Sequence, residues 1–331
     1  MHCVLVVPGT LDAKTGGTIY DRKIVEGLIG RGWTVDVRAV GDLPSLPPRT
    51  VVLVDGLAYA ATPGVVERES SRLHVVALVH LPLALEPGLS VSEAARLRAL
   101  EQRVLASVSR VVVTGRVTVD WLREYGISRD RIALVEPGTD RAPSARGSGS
   151  NAVRLLCVAA VTAGKGHEML LRALANARGG RWTLTCAGSL TRQPETVERV
   201  REVIRDRQLV DRVTLAGELA EGQLDCAYDS ADAFVLATGR ETYGMAVAEA
   251  IARGLPVVST RTGAIADIVG DAGVIVDAGD EAALTRALVH VIGDAPARRR
   301  LAEAARARRG TLPTWAAAAE AMEQVLSGFA R

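Results

Sequence analysis

The chain has 331 residues, of which 48% are hydrophobic and 24% charged, and its formal net charge is +2. This length exceeds one ordinary core and suits two domains of about 150 residues each. The composition excludes a disordered chain, and the balanced charge excludes nucleic acid as the main partner.

The N-terminal MHCVLVVPGT has no basic stretch and enters an apolar strand at once, so no signal peptide is expected. No apolar run reaches about 18 residues, so no transmembrane helix is expected either. Val4–Val7 reads as a strand, Gly16-Gly17 as a loop, and Tyr20 to Gly30 as a helix ended by Gly30-Arg-Gly32. Strands are predicted at Thr34–Val40, Val51–Asp55, Val75–Val79, Arg110–Thr114 and Ile132–Val135, and helices at Val91–Val108 and Val117–Glu124. The continuous apolar runs are those of parallel strands buried on both faces.

Thr139 to Asn151, TDRAPSARGSGSN, concentrates Pro, Gly and Ser and reads as a linker. The alternation then restarts. Strands are predicted at Arg154–Ala160, Trp182–Ala187, Val213–Ala216, Ala233–Ala237, Pro256–Thr260 and Gly273–Val276. Helices are predicted at Glu168–Arg178, Thr196–Arg207, Gln223–Ser230, Gly244–Arg253, Ala282–Ile292, Arg298–Arg308 and Thr314–Phe329. The fold class is therefore α/β, with two Rossmann-like domains at 1–140 and 151–312. Two such sheets are expected to face a central cleft, and ligands bind outside the carboxyl ends of the strands.

Cys3, Cys157, Cys186 and Cys226 include no C-x-x-C pair. The first three sit in apolar runs and read as small core residues, which fits a reducing cytoplasm. Only three lysines occur: Lys14, Lys23 and Lys165.

Glu241-Thr-Tyr-Gly-Met-Ala-Val-Ala-Glu249 follows the strand Ala233–Ala237, so it lies at a carboxyl edge. Two acids so spaced can grip an extended polar ligand, because carboxylates accept paired hydroxyl hydrogen bonds. Backbone N–H groups from Tyr243 onward open a helix and can bind phosphate. The plainer alternative makes Glu241 a helix-start acid and Glu249 a solvated side chain. Glu249 lies within the apolar string Met245–Ile251, which offers no obvious solvated face.

The run ETYGMAVAEAIARGLPVVST resembles the E-x7-E signature of the family 4 retaining glycosyltransferases, which have the GT-B fold. Supporting motifs occur in order along the chain: Val6-Pro8, Gly16-Gly17, Val79-His80, Pro137-Gly138, Lys165-Gly166-His167, Gly217-Glu218 and Pro313-Thr-Trp315. The resemblance implies that Glu241 holds hydroxyls of the donor sugar and Glu249 those of the ribose. It implies that Lys165 is the cation on the donor diphosphate and that Gly16 and Gly17 form a glycine loop over it. Gly217, Glu218 and Leu219 lie where the family contacts the base, and Thr242, Tyr243, Gly244 and Met245 complete the donor side. His80 is placed near the donor sugar and phosphates, to bind the sugar or assist the acceptor. The N-terminal domain takes the acceptor, with Leu81–Leu89 in its wall, and the last helix crosses back onto it. Lys165 could instead be a solvated loop lysine, and His80 a structural histidine satisfied by backbone.

The implied donor is a nucleoside-diphosphate sugar, UDP- or GDP-linked. The acceptor's identity is not readable from the sequence, and a small metabolite, a glycolipid and a polysaccharide precursor all stay open. No metal is expected, since there is no D-x-D and no His/Cys set at metal-ligand spacing along the sequence. The glycine loops are not G-x-G-x-x-G, which argues against NAD. Two positions depart from the family. The family's diphosphate arginine is replaced by Ala159-Ala160, leaving Arg116 or Arg240 as candidate substitutes, and its G-G-x-x-E turn reads Gly263-Ala-Ile-Ala-Asp267. An epimerase-like or non-catalytic sugar-nucleotide binder is the alternative. The basic stretch Arg298–Arg309 reads as a solvated face, with weak contact to an anionic membrane surface as the second reading.

Overall fold

A computed structural model describes residues 1–329 and divides the chain into two compact units. One comprises Met1–Gly138 with the described residues from Pro313 onward; the other is Thr139–Leu312. Among the described residues each unit carries one six-stranded sheet.

The first sheet contains β1 (His2–Val6), β2 (Thr34–Arg38), β3 (Val51–Asp55), β4 (His74–Val79), β5 (Arg110–Val113) and β6 (Ile132–Leu134). The second contains β7 (Val153–Val158), β8 (Trp182–Ala187), β9 (Val213–Gly217), β10 (Ala233–Leu236), β11 (Val257–Thr260) and β12 (Gly273–Val276). Every ladder is parallel. The central strands are sealed on both faces: all five residues of β3 and all four of β10 are buried. That accounts for their uninterrupted apolar sequences.

The strand orders locate the ligand-binding edges. The first sheet runs β2-β1-β3-β4-β5-β6 and the second β12-β11-β10-β7-β8-β9. The second is the Rossmann order, reversing direction between β7 and β10, and the first reverses between β1 and β3. At such switch points the connections leave toward opposite faces and open a crevice at the strands' carboxyl ends.

Gly16 and Gly17 are not a loop. They form the first turn of the helix Gly16–Gly30, capped by Thr15, whose hydroxyl accepts from Thr18 N at 3.1 Å. A threonine cap outweighs the low helix propensity of glycine at a terminus. Helices at Gly56–Ala61, Pro63–Glu69 and Ile265–Val269 lie where the sequence reading placed none. Asp55 caps the first through Leu57 N at 2.8 Å, and Pro63 opens the second.

The segment after Thr139 has no regular structure, yet it is fastened to the second unit. Arg146 Nε donates to Asp229 at 2.7 Å, Ser148 N to Asp232 at 2.9 Å, and Ala145 N to Arg253 O at 2.8 Å. Its polar composition reflects hydrogen bonding to that unit.

In the first unit the helix Trp315–Ser327 packs on Gly16–Gly30. A Cβ on Gly27 would lie 2.5 Å from Ala319 Cβ, so this glycine lets the helices approach. Glu323 accepts from Trp33 Nε1 at 3.0 Å and pairs with Arg31. Gly138 is equally constrained, since a Cβ there would sit 2.1 Å from Trp315 N.

The basic helix, Ala295–Arg308, spends several arginines internally. Arg298 donates to Val291 O at 2.7 Å, Arg308 to Ile268 O at 3.0 Å, and Arg309, just beyond, to Ser144 at 2.7 Å. No helix among the described residues is long and apolar enough to cross a membrane.

Candidate active site

The switch point of the second sheet brings together the loops after β7 and β10. The first is a single turn, Ala163–Lys165, ending at Gly166 with φ of 67°. The second runs Ala237-Thr-Gly-Arg-Glu241. They are joined by backbone and side chain. Gly239 N donates to Gly164 O at 2.8 Å. The Thr238 hydroxyl lies 3.1 Å from Gly164 O and 2.9 Å from Arg240 O and can donate to either. Thr260 donates in turn to Thr238 O.

Lys165 Nζ and Glu241 Oε1 consequently form a hydrogen-bonded ion pair, with side chains 31% and 16% exposed. Residues 76 apart in sequence meet because β7 and β10 are neighbours with opposed crossovers. A cation and a carboxylate side by side at a strand edge can engage a diphosphate and a sugar hydroxyl on one molecule.

Glu241 precedes the helix rather than opening it. The helix is Met245–Ala252, with Gly244 as its N-cap at φ of 107°. Its first amides are therefore those of Met245 and Ala246, not Tyr243 as the sequence reading had it, because a left-handed Gly244 ends the preceding loop. Thr242 is half-buried and Tyr243 buried. The altered turn keeps its essential glycine: a Cβ on Gly263 would meet Glu241 O at 2.5 Å and Thr242 O at 2.6 Å.

Glu249 is half-buried and already engaged, accepting from Tyr228 Oη at 2.9 Å. Arg253 stacks over the Tyr228 ring at 4.3 Å and pairs with Asp225 at 2.5 Å. Burial pushes the Glu249 carboxyl above its usual range, opposed by the Tyr228 hydrogen bond and the Arg253 charge. It is thus neither a solvated helix acid nor an unpaired one.

Gly217 ends β9, the edge strand, at φ of 70°. Glu218 is exposed and Leu219 half-buried. They stand two strands from β7, across β8. Of the candidate arginine substitutes, Arg240 shares the Glu241 loop. Arg116 lies in the first unit and pairs with Glu136 at 3.2 Å.

The first sheet carries a second polar cluster at its own carboxyl edge. His80 follows β4, Asp55 ends β3, and Asp21 lies in the helix after β1. His80 Nε2 is 3.0 Å from Asp21 Oδ1 and 3.4 Å from Asp55 Oδ2. Both carboxylates are buried, while the histidine side chain is 22% exposed. Burial pulls the imidazole down, but the Asp21 hydrogen bond and the charges of both aspartates outweigh it and hold His80 above its ordinary value. Burial raises Asp55, and the His80 charge pulls it partly back.

Gly17 supports the ring from below: a Cβ there would lie 3.1 Å from His80 Cδ2. Tyr20 packs edge-on at 5.3 Å and donates to Val135 O at 2.9 Å. His80 is therefore held by side chains, not by backbone alone. Sequence reasoning missed Asp21 and Asp55. The signal available was an acid closing the apolar run VVLVD.

The family described as glycosyl transferases group 1 matches residues 140–308, just over half of the chain. The chain belongs to this family. Its resemblance to the family 4 glycosyltransferases is upheld by relatives of the same kind. It is 30% identical over 256 residues to the D-inositol 3-phosphate glycosyltransferase of Corynebacterium diphtheriae, covering 71% of this chain and 59% of that protein. It is 27% identical over 180 residues to the mannosylfructose-phosphate synthase of Agrobacterium fabrum, covering 49% of this chain and 40% of that protein. The chain thus spans about three fifths of the first relative's length.

Similarity of fold extends over almost the whole glycosyltransferase-family chain. Sucrose-phosphate synthase from Thermosynechococcus elongatus superposes with a TM-score of 0.85 at 20% identity, covering 99% of this chain and 98% of that one. Anabaena HepE, solved with UDP-glucose, gives 0.82 at 15% identity, covering 99% of this chain and 100% of that one. The fold is GT-B, with two successive Rossmann-like units.

Proposed function

We propose that this chain transfers a sugar from a nucleoside-diphosphate sugar, UDP- or GDP-linked, to a hydroxyl acceptor. Transfer retains the anomeric configuration, the sugar is a hexose, and no divalent metal is needed. The observation that carries this reading is the Lys165–Glu241 pair at the switch point of the second sheet. HepE, of like fold, was solved with UDP-glucose, which supports a donor of that class.

In this reading the second unit takes the donor. Lys165 meets the diphosphate, whose negative charge grows as the leaving group departs, and preorganised positive groups act most strongly there. Glu241 exchanges part of its bond to Lys165 for sugar hydroxyls. Glu249, oriented by Tyr228, accepts from the ribose. Gly217, Glu218 and Leu219 border the base, while Thr242, Tyr243, Gly244 and Met245 line the sugar side. The first unit takes the acceptor, a small metabolite or a glycolipid. His80 serves there as donor-sugar contact or acceptor partner, and Gly16 and Gly17 offer helix-start amides to anionic oxygens. The reaction belongs in the cytoplasm, where sugar nucleotides are available.

A thermal-shift screen of UDP-, GDP-, ADP- and TDP-sugars tests this directly. At least one donor should raise the melting temperature, and its slow hydrolysis should persist in EDTA. If no donor binds or turns over, the proposal fails. A second reading, donor binding without transfer, is favoured by Ala160, where the family has an arginine. A donor that stabilises the protein yet is never cleaved, even with an acceptor panel, would select it.

A further inference from the structure

Cys157, Cys186 and His167 converge beside the Lys165 loop. Cys157 on β7 and Cys186 on β8 are direct partners in the parallel ladder, so their side chains share one face of the sheet. His167 is the first residue of the helix His167–Asn176. Its Nε2 lies 3.8 Å from Cys157 Sγ. The donor atoms of all three residues lie within 4.8 Å of one another. Each residue is sealed from solvent, at 0%, 1% and 1% exposure for Cys157, Cys186 and His167. Among the described residues, His167 Nδ1 is buried without a hydrogen-bond partner, and its other ring nitrogen meets Cys157 Sγ. Core packing explains two buried thiols. It does not explain a buried imidazole with Nδ1 left without a hydrogen bond, since buried polar groups are normally paired.

We propose that Cys157, Cys186 and His167 form a binding site for one soft d10 metal ion, Zn(II) or Cu(I), ligated by two thiolates and one imidazole. Zinc bonds of about 2.3 Å to sulfur and about 2.0 Å to nitrogen, set at tetrahedral angles, put sulfur and nitrogen about 3.5 Å apart. The observed 3.8 Å separation is within a small side-chain adjustment of that. Two thiolates and a dipositive ion leave no net charge in the interior, which avoids the cost of burying an unpaired ion. Sulfur and imidazole ligands select against Mg(II) and Ca(II). His167 lies two residues beyond Lys165, so the ion would tether the loop carrying that lysine to the sheet. The site stands independently of the proposed transfer reaction.

The test uses the full chain carrying Cys226→Ser, which removes the exposed thiol. The protein is stripped of metal under a non-coordinating reductant, then titrated with Zn(II), or anaerobically with Cu(I), against a competing chromophoric chelator. Expected results are one ion per chain, thiolate-to-metal charge-transfer absorption, and a melting temperature raised by about 5 °C or more at 100-fold excess over Kd. Mg(II) should do none of this. Combined Cys157→Ala and Cys186→Ala should abolish binding, and His167→Gln should weaken it by about tenfold or more. Absence of stoichiometric binding, or binding unchanged in the double variant, overturns the proposal. Should the double variant not fold, unchanged affinity in His167→Gln overturns it alone.

Discussion

Gly166 lies against the carbonyl of Ala237, so closely that a Cβ on Gly166 would sit 2.0 Å from that oxygen. The contact welds the turn carrying Lys165 to the loop carrying Glu241. With φ of 67°, the position is also in the left-handed region. Gly166→Ala therefore meets both a backbone clash and backbone strain. It should cost at least about 2 kcal/mol in urea denaturation, and donor affinity should fall with it. A substitution that left stability and donor binding intact would show that the two loops are not rigidly joined.

The Lys165–Glu241 pair is partly exposed and contributes little to folding. Lys165→Ala should change stability by less than about 1 kcal/mol. If the lysine supports the departing diphosphate, the same change should lower kcat/KM by about 10²–10³-fold. Parallel measurements of unfolding and donor turnover separate the roles. Equal losses in both would reduce the pair to a structural contact.

Thr238 is fully buried, and its hydroxyl can donate to either of the two carbonyls that flank the site. Thr238→Val keeps the shape and deletes that donor. The expected loss is about 1–2 kcal/mol of stability, together with weaker donor binding because Lys165 is less well held. Thr238→Ser retains the hydroxyl and should recover most of the binding. Failure of serine to outperform valine would count against the hydroxyl.

Glu101 contributes to pH dependence in the first unit. It is fully buried, accepts from Tyr59 Oη at 2.7 Å and from Leu83 N at 2.9 Å, and burial pushes its carboxyl up to about 7. The folded state thus holds a proton that the unfolded chain releases near the ordinary glutamate value of 4.5. This contribution to stability is complete below that value and is lost as pH rises toward about 7, by roughly 3 kcal/mol across the window. Glu101→Gln can donate to Tyr59 and accept from Leu83, so its stability should vary less between pH 5 and 7. Urea midpoints across that range check this. Identical pH profiles for the two proteins would exclude Glu101 as the source.

All twelve strands were legible from sequence, the central β3 and β10 because a parallel strand buried on both faces is continuously apolar, and the edge strand β2 through the alternation in TVDVR. Lys165, Glu241 and Glu249 stood out as candidates because the ETYGMAVAE run and the lysine turn are local patterns read without knowing the strand order; that Lys165 meets Glu241 is set by the fold. Short helices escaped because Gly56–Ala61 and Pro63–Glu69 are set by caps and a proline rather than by a long apolar period. Gly16-Gly17 was misread because glycine signals loops, while the deciding feature was the Thr15 cap.

What the tertiary structure alone decided is which side chains touch. Asp21, Asp55 and His80 come from three separate elements, and nothing local to any of them announces the others. The order β2-β1-β3-β4 places their carboxyl ends side by side. Cys157 and Cys186 likewise read as two core residues until the register of β7 on β8 set one opposite the other. Periodicity and local motif belong to the sequence because they arise from near neighbours along the chain. Ion pairs and ligand sets belong to the fold because strand order and register, which bring distant residues within a few ångströms, emerge only when the whole sheet closes.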